Sequence, residues 1–324
     1  MSPSRRGAGP RGGIDLGGTK IQAVIVDGRN KVLGEARRPT PTSGGPEAVC
    51  AELADTLADA GASAGIDPST LSGVGVGSPG AIDADAGTVA QARNLPDWID
   101  PFPLADRLSE AVAAPVQVDN DVSVATAAEF ELGVGKEYSS LLGVFGGTGV
   151  GGGIVLNDEP WTGRGAAGEI GHMVVKIGGR RCPCGRRGCM EAYAGRGAME
   201  ARARKLHKQG HKTELLKIMR KRGRERLTSG VWARALEQGD DLANEIVAEA
   251  IEALGAGVAS AVNLLDVEAV VIGGGLGVRL GKPYARKIAA AMQPHLFVDD
   301  RPPAIEVAAL GDLGGAIGAA LLAR

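Results

Sequence analysis

The chain has 324 residues, a formal net charge of −2 and an ordinary globular composition. Its length suits two compact domains or one large one, and the near-neutral charge gives no global pull toward nucleic acid or a membrane surface. Apolar runs are broken by Asn, Asp or Glu before the roughly 18 residues that suggest a membrane span, so neither nucleic acid nor membrane is an expected partner.

The N-terminal stretch MSPSRRGAGPRGG is basic, rich in Gly and Pro and without the apolar core of a signal peptide; it reads as a flexible tail over residues 1–12. The expected compartment is the reducing cytoplasm, where structural disulfides are rare. From there, apolar runs of strand length alternate with Ala-rich helical segments, the α/β pattern. GGIDLGGTKIQAVIVD predicts strand, tight Gly turn, strand, and PEAVCAELADTLADAGASAG an amphipathic helix with a Gly-rich end. LSGVGVGSPGAID runs from a strand into a Gly/Pro turn, APVQVDND is a short strand ending on polar residues, and ATAAEFELGVG is helical. SSLLGVFGGTGVGGGIVLND again predicts strand, Gly turn, strand. From about Gly197 to Asp241 the chain is strongly charged and helical; then come a long helix, LANEIVAEAIEALGAGVASAVNLL, a strand and Gly turn, EAVVIGGGLG, and a closing helix, GDLGGAIGAALLA.

IDLGGTKIQAVIV and GVFGGTGVGGGIV share one order of apolar strand, Gly-Gly-Thr turn and apolar strand, as two related halves would. Among 51 glycines chance is the competing account. A Gly-rich turn lets backbone N–H groups converge on an anion, because Gly has no Cβ to block it. DLGGTK, Asp15 to Lys20, adds a hydroxyl, an ammonium and a carboxylate able to hold Mg²⁺, which makes a phosphate cradle. The plain alternative is a hairpin using Gly for its turn. Two such turns, with a third Gly run at Gly273, Gly274 and Gly275, favour a nucleotide. The G-x-G-x-x-G match from Gly75 to Gly80 is rejected as a dinucleotide site, since AIDADAG does not open a helix and Pro79 interrupts the loop donors. No Walker motif is present either.

Three of the four cysteines, Cys182, Cys184 and Cys189, fall within eight residues, and His172 lies ten positions before the first. Disulfide knot, redox pair, metal site and reactive loop are the available readings; a reducing compartment disfavours the first. Cys50, alone in a helix, reads as a small core residue.

Taken in order, DLGGTK, VDND, GTGVGGG, GEIGH and CPCGRRGCME resemble the ROK family of sugar kinases, from about Gly12 to the end of the chain. The most specific part is G-H-x9-C-x-C-G-x2-G-C-x-E, which runs from Gly171 to Glu191. The resemblance implies an α/β, two-domain actin/hexokinase-type (ribonuclease H-like) fold with ATP and sugar meeting in an interdomain cleft. It makes His172, Cys182, Cys184 and Cys189 a Cys₃His set, a complete tetrahedral shell for a structural Zn²⁺; the C-x-C then C-x4-C spacing does not suit a redox pair. Fixing His172 also fixes Glu169 and Glu191, which in the family bind sugar hydroxyls together with the histidine.

On the acceptor side the resemblance implies Asn94, Asn120, Asp121, Glu169, His172 and Glu191, with Asp121 the catalytic base that takes the proton of the attacking hydroxyl. Without it, Asp121 reads as a helix N-cap, Asp119 as a solvated neighbour and Asn94 as a turn residue. On the donor side it implies Gly17, Gly18 and Thr19 against the phosphates with Lys20 and Mg²⁺-linked Asp15, Thr148 and Gly149 bracketing them from the other domain, and Gly274 and Gly275 against adenosine. NDVSVAT and Phe145-Gly146-Gly147 depart from the family's usual wording, which puts pocket detail in question. The basic block over 202–226 reads as a solvated helical face or as a groove for a polyanion such as polyphosphate; its His207 and His211 lack metal-ligand company.

The expected function is ATP- and Mg²⁺-dependent phosphorylation of a hexose, glucose to glucose 6-phosphate, with N-acetylmannosamine, N-acetylglucosamine, mannose and fructose as rival acceptors. A ROK-type sugar sensor is the rival from another class; such repressors carry a helix-turn-helix ahead of the kinase-like part, and about a dozen residues precede the first strand here. Expected domains are 13–120 with 311–324, and 121–310 carrying the zinc site and the surface of a homodimer or homotetramer.

Overall fold

The computed structural model describes residues 9–323. They form two units: one runs to Gly133 and includes 160–167 and the chain from Leu310, the other comprises Val134–Glu159 and Gly168–Ala309.

In the first unit, β1 (Arg11–Leu16), β2 (Lys20–Val26) and β3 (Val32–Pro39) form an antiparallel meander. Helix α1 (Gly45–Ala64) follows, then β4 (Val74–Ser78), the small hairpin β5 (Ala81–Asp83) and β6 (Thr88–Ala90), α2 (Leu104–Val112), β7 (Val116–Asn120) and α3 (Asp121–Glu131). The sheet order is β3-β2-β1-β4-β7, with β4 parallel to both β1 and β7. α1 buries Val49, Leu53, Leu57 and Ala60, a stripe at helical spacing, and stops at Gly65, whose φ of 68° an L side chain resists.

The closing helix Gly314–Leu322 lies against β1, β2 and β4 and against α3. It comes unusually close to the sheet: a Cβ on Gly75 would sit 1.8 Å from the Ala319 carbonyl oxygen, and one on Gly13 would sit 2.0 Å from that of Ala316. This packing accounts for Gly75 in the false dinucleotide fingerprint, and β4 runs on into β5 rather than into a helix. The expected boundary at 120 moves to Gly133 because α3 packs on the closing helix, where a Cβ on Gly318 would lie 2.0 Å from the Val124 carbonyl oxygen. The expected tail is also shorter. Arg11 and Gly12 belong to β1, Arg11 is 2% exposed with its guanidinium on the Ala320 carbonyl, and residues 1–8 of that tail lie outside the described residues.

The second unit holds β8 (Leu141–Gly146), β9 (Val150–Leu156), β10 (Glu159–Pro160, at its edge), α4 (Glu191–Ala194), α5 (Arg196–Lys208), α6 (Leu215–Lys221), α7 (Ser229–Glu237) and α8 (Asp241–Leu265). β11 (Ala269–Gly273), α9 (Gly274–Met292) and β12 (Ala304–Val307) complete it. Its sheet order, β10-β9-β8-β11-β12, repeats that of the first unit: an antiparallel hairpin β8–β9 followed by parallel β11 and β12. The two Gly-Gly-Thr stretches therefore occupy equivalent hairpins, as related halves require. Asp240 caps α8, accepting the Ala243 N–H at 2.7 Å, and the helix packs so closely that a Cβ on Gly257 would meet Met190 Sδ at 2.6 Å. That contact seats the chain that joins the cysteine loop to α4. Among the described residues no helix is long and apolar enough to cross a membrane.

Candidate active site

Asp15 lies near the end of β1, and the β1–β2 turn closes with Gly17 N–H donating to the Lys20 carbonyl at 3.0 Å. Lys20 Nζ donates to Gln22 Oε1. Burial pushes the Asp15 carboxyl up to about 6, against the pull of Lys20 and with a smaller push from Asp312. The start of the closing helix crowds that carboxyl, since a Cβ on Gly315 would lie 2.8 Å from Asp15 Cγ. Gly18 at the turn's exposed tip approaches Asn94, whose Nδ2 would be 3.0 Å from a Cβ there. The expected phosphate turn and the expected sugar-contacting Asn94 thus share one neighbourhood.

β7 delivers Asn120 and Asp121 to the head of α3, which begins at Asp121, ahead of the helical stretch expected from Ala125. Asn120 is the N-cap: its Oδ1 accepts from Val122 N at 3.0 Å and Ser123 N at 3.1 Å. The capping role read for Asp121 therefore falls to its neighbour, and Asp121 is the first helical residue, with Oδ1 accepting Val122 N–H at 3.0 Å. Asp119 is half-buried rather than solvated. Its carboxylate accepts the Asn120 N–H at 2.7 Å, and burial raises its pKa. Fully buried Ser78 pairs in register with Asn120.

In the second unit a single 3₁₀ turn, Ile170–His172, carries the histidine, and the cysteine loop is folded by the bridges Val174↔Cys189 and Arg181↔Arg187. The ligand atoms of His172, Cys182, Cys184 and Cys189 lie within 4.8 Å of one another. Cys184 Sγ and Cys189 Sγ are 3.7 Å apart, and Cys182 Sγ is 3.8 Å from His172 Nδ1. Thiolates at about 2.3 Å from a tetrahedral metal stand about 3.8 Å apart, so the set fits one metal ion. The two ring nitrogens are divided: Nδ1 faces the sulfurs, while Nε2 is 3.8 Å from Glu169 Oε2. Glu191 Oε2 accepts the Val150 N–H at 3.0 Å, and Oε1 lies 3.6 Å from Cys182 Sγ. His172, the three cysteines, Glu169 and Glu191 form one group.

The β8–β9 turn closes through Gly147 N–H on the Gly149 carbonyl at 2.9 Å, and the Thr148 carbonyl accepts from Gly197 N at 2.9 Å, tying the turn to the start of α5. Gly274 and Gly275 are not a loop, as expected, but the first residues of α9, whose N-terminal N–H groups suit a phosphate. Gly274 has φ of 75°, and a Cβ there would lie 2.3 Å from the Gly146 carbonyl oxygen, so both Gly runs meet at the ends of adjacent strands. Val144, Arg196, Leu276, Tyr284 and Ile288 line a small pocket beside them. Burial, with nearby Arg226, lowers the Arg196 pKa.

The basic block spans α5, α6 and the loop to α7, and its Lys and Arg side chains are mostly exposed, as on a solvated face. Buried Glu200 takes Arg204 at 2.7 Å and Arg226 at 3.5 Å. His207 Nδ1 lies 3.1 Å from the His211 carbonyl oxygen, and neither histidine joins a metal-ligating group among the described residues. Sequence reasoning missed Thr40, whose side chain and backbone both reach the first turn from the end of β3. Its T-P sequence context carries no chemical signal; only long-range pairing reveals it.

The ROK family model matches residues 11–324. Glucokinase of Thermotoga maritima is 33% identical over 286 residues, covering 87% of this chain and 88% of that protein. N-acetyl-D-glucosamine kinase of Citrobacter koseri is 33% identical over 322 residues, covering 96% and 98%. The crystal structure of a ROK family glucokinase from Streptomyces griseus in complex with glucose and AMPPNP is 32% identical, with a TM-score of 0.83 over 98% of this chain and 99% of that one. The two units, their repeated sheets and the ordered motifs agree with these matches along nearly the whole chain, and the protein is a member of the ROK family with its actin-like two-domain fold.

Proposed function

We propose that this protein is an ATP- and Mg²⁺-dependent hexose kinase that converts glucose to glucose 6-phosphate. The observation that carries the reading is end-to-end similarity to a glucokinase bound to glucose and AMPPNP. Asp121, at the head of α3, takes the proton of the attacking sugar hydroxyl. Asn94, Asn120, Glu169, His172 and Glu191 hold the hydroxyls, since carboxylates and amides bind adjacent OH groups and reject a missing one. The turns at Gly17–Lys20 and Thr148–Gly149, with the α9 N-terminus at Gly274 and Gly275, cradle the nucleotide. Asp15 would hold Mg²⁺, which would supply charge neutralisation on the phosphates when bound.

The Cys₃His set suits structural Zn²⁺: four protein ligands fill a tetrahedral shell and leave no position for an activated water. Its task is to hold His172 so that Nε2 faces the sugar side, with Glu169 and Glu191 alongside. A cytoplasmic homodimer or homotetramer completes the proposal. N-acetylglucosamine is the second acceptor reading, supported by the equal identity to the Citrobacter kinase. A coupled turnover assay over glucose, mannose, fructose, N-acetylglucosamine and N-acetylmannosamine, with ATP, ADP and polyphosphate as donors, tests the reaction and its substrates. Glucose-dependent turnover with ATP is expected. Absence of turnover with every hexose overturns the kinase reading in favour of a sugar sensor.

A further inference from the structure

We infer that Thr40 is a positioning residue for the first phosphate turn, an assignment that rests on the nucleotide reading of Gly17–Lys20. Thr40 follows β3 and is 6% exposed. Its hydroxyl donates to the Gly17 carbonyl at 2.6 Å, and its backbone N–H donates to the Thr19 carbonyl at 3.4 Å. Within one trans peptide plane the C=O and the following N–H point in opposite directions. Both carbonyls turn toward Thr40, so the N–H groups of Gly18 and Lys20 face away from it. A Gly-Gly pair has wide backbone freedom, and a rotated 17–18 plane would present a carbonyl oxygen to a phosphate in place of a donor. Thr40 therefore acts through the turn: it aims donors it does not itself supply, which is preorganisation rather than contact with the nucleotide.

The test compares Thr40→Val, which keeps the shape and loses the hydroxyl, with Thr40→Ser, which keeps the hydroxyl. Thr40→Val is expected to lower kcat/KM for ATP about 10- to 100-fold. Its KM for the hexose should stay within about twofold, and calorimetric affinity for a non-hydrolysable ATP analogue should fall in parallel. Thr40→Ser should restore ATP kinetics to within about threefold. Should Thr40→Val fail to fold, Thr40→Ala against Thr40→Ser gives the same contrast. Wild-type ATP kinetics in the valine variant, equal loss for ATP and hexose, or a serine variant as poor as the valine overturns the assignment alone. A wild-type protein that neither binds the analogue nor phosphorylates a hexose overturns the nucleotide reading with it.

Discussion

Glu191 Oε2 accepts the backbone N–H of Val150 at 3.0 Å, so the carboxylate beside the Cys₃His group is also a brace on the second Gly-Gly-Thr hairpin. The fit leaves no slack: a Cβ on Gly149 would stand 2.1 Å from the same oxygen. The proposed acceptor-side and donor-side residues of this unit are thereby held by one side chain. Gly149→Ala should displace Glu191 and raise KM for the hexose as well as for ATP, each by about tenfold, whereas Glu169→Gln should affect the hexose alone. Separate KM determinations decide it. An alanine variant altered only toward ATP would break the link.

Asp121→Asn keeps the size of the side chain and removes its ability to take a proton. Turnover should fall by about 10²- to 10⁴-fold, the range of general-base contributions, with hexose and nucleotide affinities by calorimetry within about threefold of wild type. Retained turnover would remove Asp121 from the base role.

Elemental analysis is expected to find the proposed Zn²⁺ at one ion per chain, and Cys184→Ser should lower that content and weaken hexose binding by at least about tenfold. Analogue binding should change far less, because the first of the proposed nucleotide turns belongs to the other unit. A metal-free variant with normal hexose affinity would show that the ion does not organise the sugar residues.

Asp15 gives a pH signature. Burial pushes its carboxyl up from 3.8 to about 6, so in the nucleotide-free protein the folded state holds the proton more tightly than the unfolded chain. This contribution to stability is fully present at low pH, where both states are protonated. It is lost as pH rises through about 4 to about 6, where only the folded state remains protonated. At about 1.4 kcal/mol per pKa unit the loss is on the order of 3 kcal/mol. The difference in unfolding free energy between wild type and Asp15→Asn should fall over that window and then level off. A constant difference would mean that Asp15 does not titrate there.

Gly75→Ala should be among the costliest single substitutions, because its Cβ would enter a backbone carbonyl that cannot rotate away. A loss of about 3 kcal/mol or more is expected, read as a lower thermal midpoint. Stability close to wild type would mean that the closing helix can shift outward.

Much of this architecture was legible along the chain because its signals are local. DLGGTK announces a tight hairpin because a Gly pair between two apolar runs is a turn signal, and alternating strand and helix patterns give the α/β class. Three cysteines and a histidine within eighteen residues offer a candidate ligand set, because thiolate and imidazole are what soft cations bind, and the fold brings their ligand atoms within 4.8 Å of one another. Other features depend on partners far away in sequence. By residue type and position alone Asp121 reads as a helix cap, whereas Asn120 fills that role. The boundary at 120 failed because α3 packs on a helix nearly two hundred residues later.

The sequence by itself determined which elements form and which chemical groups are available: two glycine hairpins, a Cys₃His set and carboxylates near it. The tertiary structure decided how those groups are aimed. Thr40 reaches a turn across 23 positions, Glu191 reaches Val150 across 41, and Arg11 reaches Ala320 across 309. A hydrogen bond depends on a few tenths of an ångström and on angle, and no local pattern encodes that distance once the partners are separated by whole strands and helices. Burial behaves in the same way: Asp15 is an ordinary carboxylate in sequence, and becomes a weak acid only where a glycine-started helix closes over it.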